Sequence, residues 1–361
     1  MLPLLAIAML TVTTAAAFAG KAADPDSAAR AIIAQAQAIP PGGIDELRTV
    51  ELGGLKQWIH VRGNDRKNPI LLFLHGGPGS PMMPESWVWQ RPWEGFFTMV
   101  QWDQRGAGKT FESAGSKPDP HMAIAQMQGD AEQLIAWLRQ RYGQKKIFLM
   151  GHSWGSILGV RVAQSKPQWL YAYIGVGQVV SARENESVGY SQTLARAEAT
   201  GNQAAIKALK ALAPYPGTNS YPALEKLVAE RKWDVALGGM LYGRTEDDAG
   251  ETWTLSPDYT EADNKAAQLG ELSSVQILLP QMAKVDFNSV TQFKCPVFIF
   301  AGADDRTTPE SLAEQYFHRI DAPTKKFFKI DKAAHYVMNE APGQMLMDMV
   351  RYVRPLSQPP H

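Results

Sequence analysis

Lys146-Ile147-Phe148-Leu149-Met150-Gly151-His152-Ser153-Trp154-Gly155-Ser156-Ile157-Leu158-Gly159-Val160-Arg161-Val162-Ala163 joins an apolar run to a second apolar stretch through a Gly-x-Ser-x-Gly turn. The first run is short and β-compatible, and the second is spaced for a helix, so the stretch reads as strand, tight turn, helix. A serine hydroxyl is a weak nucleophile until such a turn exposes its oxygen to a base. Small residues two positions to either side let the backbone bend that sharply, and Gly151 and Gly155 both supply them. Ser153 is therefore the candidate nucleophile.

Upstream, Pro69-Ile70-Leu71-Leu72-Phe73-Leu74-His75-Gly76-Gly77-Pro78-Gly79 runs a buried strand into a glycine-rich turn. A turn of this kind beside the tip of the nucleophile strand can offer a backbone N–H to the oxyanion formed when a serine attacks a carbonyl. Gly77 is the candidate donor, paired with the amide of Trp154. Downstream, Cys295-Pro296-Val297-Phe298-Ile299-Phe300-Ala301 reads as a core strand ending in Gly302-Ala303-Asp304-Asp305-Arg306-Thr307-Thr308-Pro309. Lys326-Phe327-Phe328-Lys329-Ile330 makes a last strand, followed by Asp331-Lys332-Ala333-Ala334-His335. Of the seven histidines, only His335 sits on a loop after that last strand. It is the candidate base, with an aspartate of the preceding loop to fix its tautomer and stabilise its cation. His75 and His152 flank the site and are expected to pack around it.

Four separated motifs carry a resemblance to α/β-hydrolases of the proline iminopeptidase type, the serine aminopeptidases. They are His75-Gly76-Gly77-Pro78-Gly79, Trp102-Asp103-Gln104-Arg105-Gly106-Ala107-Gly108-Lys109-Thr110, the serine turn with Trp154, and the Gly302…Asp305…Pro309 loop with His335. The resemblance implies a mostly parallel, eight-stranded sheet flanked by helices, with an inserted helical cap. It also implies a Ser153–His335–Asp305 triad, because in that family the acid lies three residues after the loop glycine; Asp304 stays a second candidate. Two departures bear on the substrate. His152 precedes the serine where those peptidases usually carry glycine, a start equally at home in esterases, and the Asp103-Gln104-Arg105-Gly106 run continues as a variant. That run is expected to set loop conformation beside the site.

Composition fits one soluble catalytic unit: 361 residues, 45% apolar, with 36 basic side chains against 36 acidic. Balanced charge argues against nucleic acid as a partner and against anionic membrane surfaces. The single cysteine, Cys295, opens a core strand and behaves there as a small apolar residue. Leu2 to Ala19 is almost wholly apolar and ends in an Ala-x-Ala pattern, so residues 1–19 read as an export signal, although no basic residue precedes Lys21. The expectation is a periplasmic or secreted enzyme, with an uncleaved anchor or a cytoplasmic chain as alternatives. No stable membrane insertion of the mature chain is expected, since no apolar run after residue 45 could cross a bilayer.

Residues 20–44 form an extension with a short helix. Strands at Gln57–Val61, Ile70–Leu74, Thr98–Trp102, Ile147–Met150, Tyr173–Val176 and Val297–Ala301 alternate with helices such as Met122–Arg141, which predicts a parallel sheet covered on both faces. The core thus comprises 45–180 and 293–361. Between them, 181–292 lacks strand-like alternation, and helical stretches such as Gln192–Leu212 and Tyr221–Leu237 suggest a cap over Ser153.

An iminopeptidase must hold a substrate ammonium, which calls for a carboxylate. The cap offers Glu184, Glu186, Glu246, Glu251 and Glu271; Glu184, Glu246 and Glu271 are taken as the substrate-binding candidates. Trp87, Trp89 and Trp93 either line the entrance or form a packing cluster. The expected activity is acyl transfer to water on a short peptide, by an aminopeptidase of proline iminopeptidase type. A carboxylesterase on small esters or lactones, and a ligand-binding hydrolase fold without catalysis, are the alternatives. No metal or cofactor is expected: there is no His-x-x-x-His or Cys-x-x-Cys pattern, and Gly106–Thr110 lacks the earlier glycine of a phosphate loop.

Overall fold

The computed structural model describes residues 26–217, 222–244 and 249–358. The candidate export signal lies outside these residues. Eight strands form one sheet: β1 (Ile44–Leu52), β2 (Leu55–Gly63), β3 (Ile70–Leu74), β4 (Thr98–Trp102), β5 (Ile147–His152), β6 (Leu170–Val176), β7 (Val297–Gly302) and β8 (Lys325–Ile330). Their spatial order is β1-β2-β4-β3-β5-β6-β7-β8. β1, β2 and β4 pair antiparallel, and every neighbour from β4 to β8 is parallel. β1 is the strand that sequence reading did not single out. It sits at the sheet edge with exposed charged residues between buried Ile44, Val50 and Leu52, so it carries no continuous apolar run.

The central strands are buried on both faces because their alternate residues feed two cores. Leu72, Val100, Leu149, Tyr173 and Ile299 face one cluster, whereas Phe73, Met99, Phe148, Ile174 and Phe300 face the other. Along the chain, helices α1 (Ser27–Ala36), α2 (Ser86–Trp89), α3 (Gly108–Ser113), α4 (Ile124–Arg141) and α5 (Trp154–Ser165) accompany the first five strands. α4 buries Ile124, Met127, Leu134, Ile135 and Leu138 against the first core, the face expected from its spacing. Trp89 and Trp93 belong to the second core with Phe73, Phe97 and Phe148, their ring centroids 5.5 Å apart at an 82° edge-on angle. They pack and do not line the entrance. Trp87 is half-buried and donates its indole N–H to the Thr252 carbonyl at 3.3 Å. α1 buries no residue, and the segment after it is held by Gln37 Nε2 on the Trp87 carbonyl (3.0 Å) and Arg91 on the Ala38 carbonyl (2.9 Å).

Between β6 and β7 lie α6 (Ala182–Ala199), α7 (Gln203–Lys210), α8 (Leu224–Ala236), α9 (Ala249–Thr254) and α10 (Glu261–Met282). The helical stretch expected over 192–212 divides at 200–202, where the Asn202 side chain caps the new helix by accepting from Ala205 N at 3.0 Å. α10 opens with a full capping box on Thr260 and Asp263. The two ends of the insertion are tied together: Phe287 N donates to Val180 O at 2.7 Å and Ala182 N to Val285 O at 3.0 Å. The chain then adds α11 (Glu310–Arg319) to the first core through Ala313 and Tyr316, and α12 (Val337–Glu340) and α13 (Pro342–Asp348) to the second through Val337, Met338 and Met345. Among the described residues, no helix is long and apolar enough to cross a membrane.

Buried charge locks the insertion to the sheet edge. Lys109 on α3 pairs with Asp263 of α10 at 2.6 Å. His60 on β2 pairs with Asp45 of β1 (2.7 Å) and Asp258 before α10 (3.0 Å). Burial by itself lowers the His60 pKa, but the bonds to Asp258 and Asp45 outweigh it and raise the group to about 9. A group raised in the fold stabilises fully below its unfolded value near 6.5 and loses that contribution as pH climbs through the folded value. The unfolding free energy should therefore fall by roughly 3 kcal/mol more between pH 6.5 and 9 in the wild type than in His60→Gln. Denaturant titrations across that window check this; parallel curves for the two proteins would refute it.

Candidate active site

Ser153 sits between the end of β5 and the first residue of α5 with φ 52° and ψ −120°, a backbone region that non-glycine residues seldom occupy. The strain is held in place by packing. A Cβ at Gly151 would overlap the Gly155 carbonyl, and one at Gly155 would overlap the Leu74 carbonyl at the end of β3. Glycine is thus required at both positions by close approach of backbone. Ser153 N donates to Val176 O at 2.9 Å, and the Ser156 hydroxyl returns to Ser153 O at 2.6 Å. Ser153 and His335 line one cavity of about 300 Å³ together with Gly76, Gly77 and Trp154.

The Asp103-Gln104-Arg105-Gly106 run connects the two candidate oxyanion donors. Trp154 Nε1 donates to Gln104 Oε1 at 3.1 Å, and Gln104 Nε2 donates to the His75 carbonyl at 3.2 Å. Gln104 N also donates to His75 Nε2 at 3.2 Å, so the His75 proton resides on Nδ1, which donates to Gly76 O at 2.8 Å. Burial holds His75 neutral, with its pKa pushed down to about 4. Arg105 anchors this loop on Asp130 of α4 at 3.0 Å, and Asp103 accepts from Lys109 N at 2.8 Å and from the Tyr259 hydroxyl. The loop therefore fixes the relation of Trp154 to the Gly76-Gly77 turn without entering the cavity wall around Ser153.

After β7, buried Asp305 accepts from Thr308 N through Oδ1 (2.8 Å), and through Oδ2 from the Thr308 hydroxyl (2.8 Å) and His335 Nδ1 (2.9 Å). With its Nδ1 proton on Asp305, a neutral His335 keeps Nε2 as an acceptor. Asp304 is turned away: it is half-buried and lines a separate cavity with Arg196 and Arg244. His152 donates from Nε2 to the His335 carbonyl at 3.0 Å and its ring lies 4.7 Å from that of His335. Burial, with His335 nearby, pushes the His152 pKa well below the usual histidine range, so this ring stays neutral.

The insertion closes the cavity, and its acids distribute unevenly. Glu184 does not line the cavity: it sits in the first turn of α6, exposed, accepting from Asn288 Nδ2 at 2.9 Å. Two residues along a helix is a rotation of about 200°, so Glu186 faces inward instead. Glu186 lines the cavity, bonded to Arg231 Nη2 (2.5 Å) and the Tyr215 hydroxyl (2.6 Å). Arg231 also pairs with Glu230, whose pKa burial raises to about 7. Glu271 of α10 lines the cavity as well. Glu246 lies outside the described residues. Arg231 was not anticipated from sequence; only the fold brings α8 to Ser153. Among the described residues, no group of three or more His, Cys, Asp or Glu side chains is arranged to hold a metal ion.

Comparison with known proteins agrees with this architecture. Residues 69–342 match the family model described as the alpha/beta hydrolase fold. A Bacillus subtilis protein named "Probable aminopeptidase YbaC" is 30% identical over 311 residues, covering 85% of this chain and 96% of that protein. A Streptomyces coelicolor "Probable proline iminopeptidase" is 38% identical over 108 residues, 29% of this chain and 31% of that protein. The crystal structure of a proline iminopeptidase-related protein from Thermus thermophilus superposes with a TM-score of 0.58 at 19% identity, over 87% of this chain and 98% of that one.

The contact geometry separates the two neighbouring aspartates. Asp305→Asn should lower kcat on an aryl ester by about 10⁴, the loss expected when the partner amide stabilises the wrong imidazole tautomer. Asp304→Asn should stay near wild type. Steady-state kinetics of both variants check this, and a collapse in Asp304→Asn with an active Asp305→Asn would reverse the assignment.

Proposed function

The chain belongs to the α/β-hydrolase fold family; from that premise we propose that it is a serine hydrolase, an aminopeptidase of proline iminopeptidase type working through an acyl-enzyme on Ser153. His335 Nε2 takes the Ser153 hydroxyl proton as Oγ attacks the scissile carbonyl carbon. The tetrahedral oxyanion accepts hydrogen bonds from the amides of Gly77 and Trp154, each such donor contributing about 10²–10³ in kcat. Collapse breaks the C–N bond, and the proton held on His335 passes to the departing amine. Water then attacks the ester with His335 again as base, releasing the acyl residue and free Ser153. Asp305 stays ionised throughout and steadies the imidazolium.

The observation that carries the aminopeptidase reading is the acidic cap wall. Glu186 and Glu271 border the same cavity as Ser153, and a substrate whose scissile carbonyl belongs to the residue that carries the free ammonium needs a carboxylate in the cavity that holds the nucleophile. Of the substrate-binding candidates among the described residues, Glu184 lies away from the cavity and Glu271 borders it, so Glu271 is the amine acceptor in this reading. The full-length likeness to a protein named as an aminopeptidase supports it.

Hydrolysis of a proline arylamide beside a short-chain aryl ester tests this. Both substrates should be cleaved, the arylamide at least as efficiently, and Ser153→Ala should abolish both while unfolding at the wild-type temperature. Turnover of the ester alone would make the chain a carboxylesterase. Glu271→Gln should raise KM for the arylamide roughly tenfold to hundredfold, the loss of one charge-assisted hydrogen bond, with little change for the uncharged ester. Equal effects on both substrates would remove Glu271 from amine binding.

A further inference from the structure

The loops carrying the acid and the base are both bonded to one short stretch of the insertion, residues 234–242. Asp234, at the end of α8 and fully buried, accepts from Arg306 Nε through Oδ1 (3.2 Å) and from the Thr307 hydroxyl through Oδ2 (2.9 Å). Arg306 Nη2 donates in addition to Leu237 O at 2.8 Å. Arg306 and Thr307 are the two residues between Asp305 and Thr308, which hydrogen-bond to each other. Three residues further along the insertion, Met240 O accepts the backbone N–H of His335 itself at 3.1 Å. Glu340 of α12 then clasps both sides, accepting Ala334 N at 2.8 Å and Tyr242 N.

Backbone contact makes this strap tight. A Cβ at Gly239 would overlap Asp234 Oδ1 and lie 2.7 Å from Arg306 Nε, and a Cβ at Gly189 of α6 would overlap the Arg306 carbonyl. No side chain fits between the strap and the acid loop. The Asp234 carboxylate accepts one long bond from within the insertion, from the Thr193 hydroxyl of α6 at 3.5 Å, and its two shorter bonds go to the acid loop.

We propose that Asp234 is a positioning residue, which acts through Arg306 and Thr307 to hold Asp305 in line with His335, so that the cap is part of the proton-relay framework as well as the substrate wall. The inference rests on the Ser153–His335–Asp305 assignment proposed above. His335 is faced by Asp305 and Thr308 from the acid loop, His152 from β5, Tyr336 from its own loop and Glu340 from α12. Removing the Asp234 charge leaves Arg306 beside Asp305 with its field uncompensated. That weakens the stabilisation of the His335 cation, so the acid limb of the pH–rate profile moves to lower pH.

The test is kcat per active site of Asp234→Asn on the aryl ester from pH 4 to 9, with active sites counted by a fluorophosphonate. A displacement of the acid relative to the base on the scale of 1 Å lowers kcat about 10²-fold, with KM little changed and the acid limb shifted downward. Thr307→Val, which removes one bond and keeps the ion pair, should shift the same two quantities less and serves where Asp234→Asn does not fold. A cap that is only structural would lower the unfolding temperature and the titratable fraction but leave kcat per site and the acid limb as in wild type; that result overturns the proposal. Wild-type activity surviving Ser153→Ala would instead overturn the triad assignment on which it rests.

Discussion

The carbonyl of Leu74 presses on the α-carbon of Gly155, and the arrangement of the site depends on that approach. β3 and β5 are neighbours in the sheet, so their carboxyl ends emerge side by side. Because a Cβ at Gly155 would overlap the Leu74 and His75 carbonyls, the serine turn and the start of the His75–Gly79 turn are held in close backbone approach. The strained φ of Ser153 persists because the surrounding packing over-determines it, with Gly151 and Gly155 both closed against backbone. From this single contact follow the shared cavity wall of Gly76, Gly77, Ser153 and Trp154 and the hydrogen-bonded relay through Gln104 and His75 that keeps them aligned.

The site combines two histidines that burial keeps neutral with a buried carboxylate that is fully hydrogen-bonded. His75 and His152 are both too deeply buried to carry charge, and of the three rings at the site His335 has a carboxylate at its Nδ1. Burying the Asp305 carboxylate without compensation would be expensive; two donors from Thr308 and one from His335 supply it. The same economy appears further out, where Asp130 satisfies Arg105, Asp234 satisfies Arg306, and Asp45 with Asp258 satisfy His60. Arg105–Asp130, Arg306–Asp234 and His60–Asp258 each join separate elements, so these charge pairs double as tertiary wiring between sheet, loops and insertion.

Much of this was legible in the chain because the relevant signals are local. Short continuous apolar runs marked the central strands, and the Gly-x-Ser-x-Gly and His-Gly-Gly-Pro-Gly turns stood directly after two of them. What was illegible has physical causes. β1 is a half-exposed edge strand with charged residues along it, so it offers no continuous apolar signal. Glu184 and Glu186 differ by two residues and point to opposite sides of α6, a distinction set by where that helix docks rather than by either residue. The tryptophans at 89 and 93 fit a rim or a core equally well by composition, and only the position of Phe73, Phe97 and Phe148 decided for the core.

By itself, the sequence determined the layer architecture and the turns that carry the candidate serine, acid and base, since apolar strand runs and glycine-dependent turns are properties of a few consecutive residues. The tertiary structure alone decided that Asp305 and not Asp304 touches His335, that Arg231 and Glu186 share the cavity, and that Asp234 grips the acid loop. Those relations join side chains from separate helices and strands. They depend on the angles at which the insertion closes over the sheet, which no local pattern encodes.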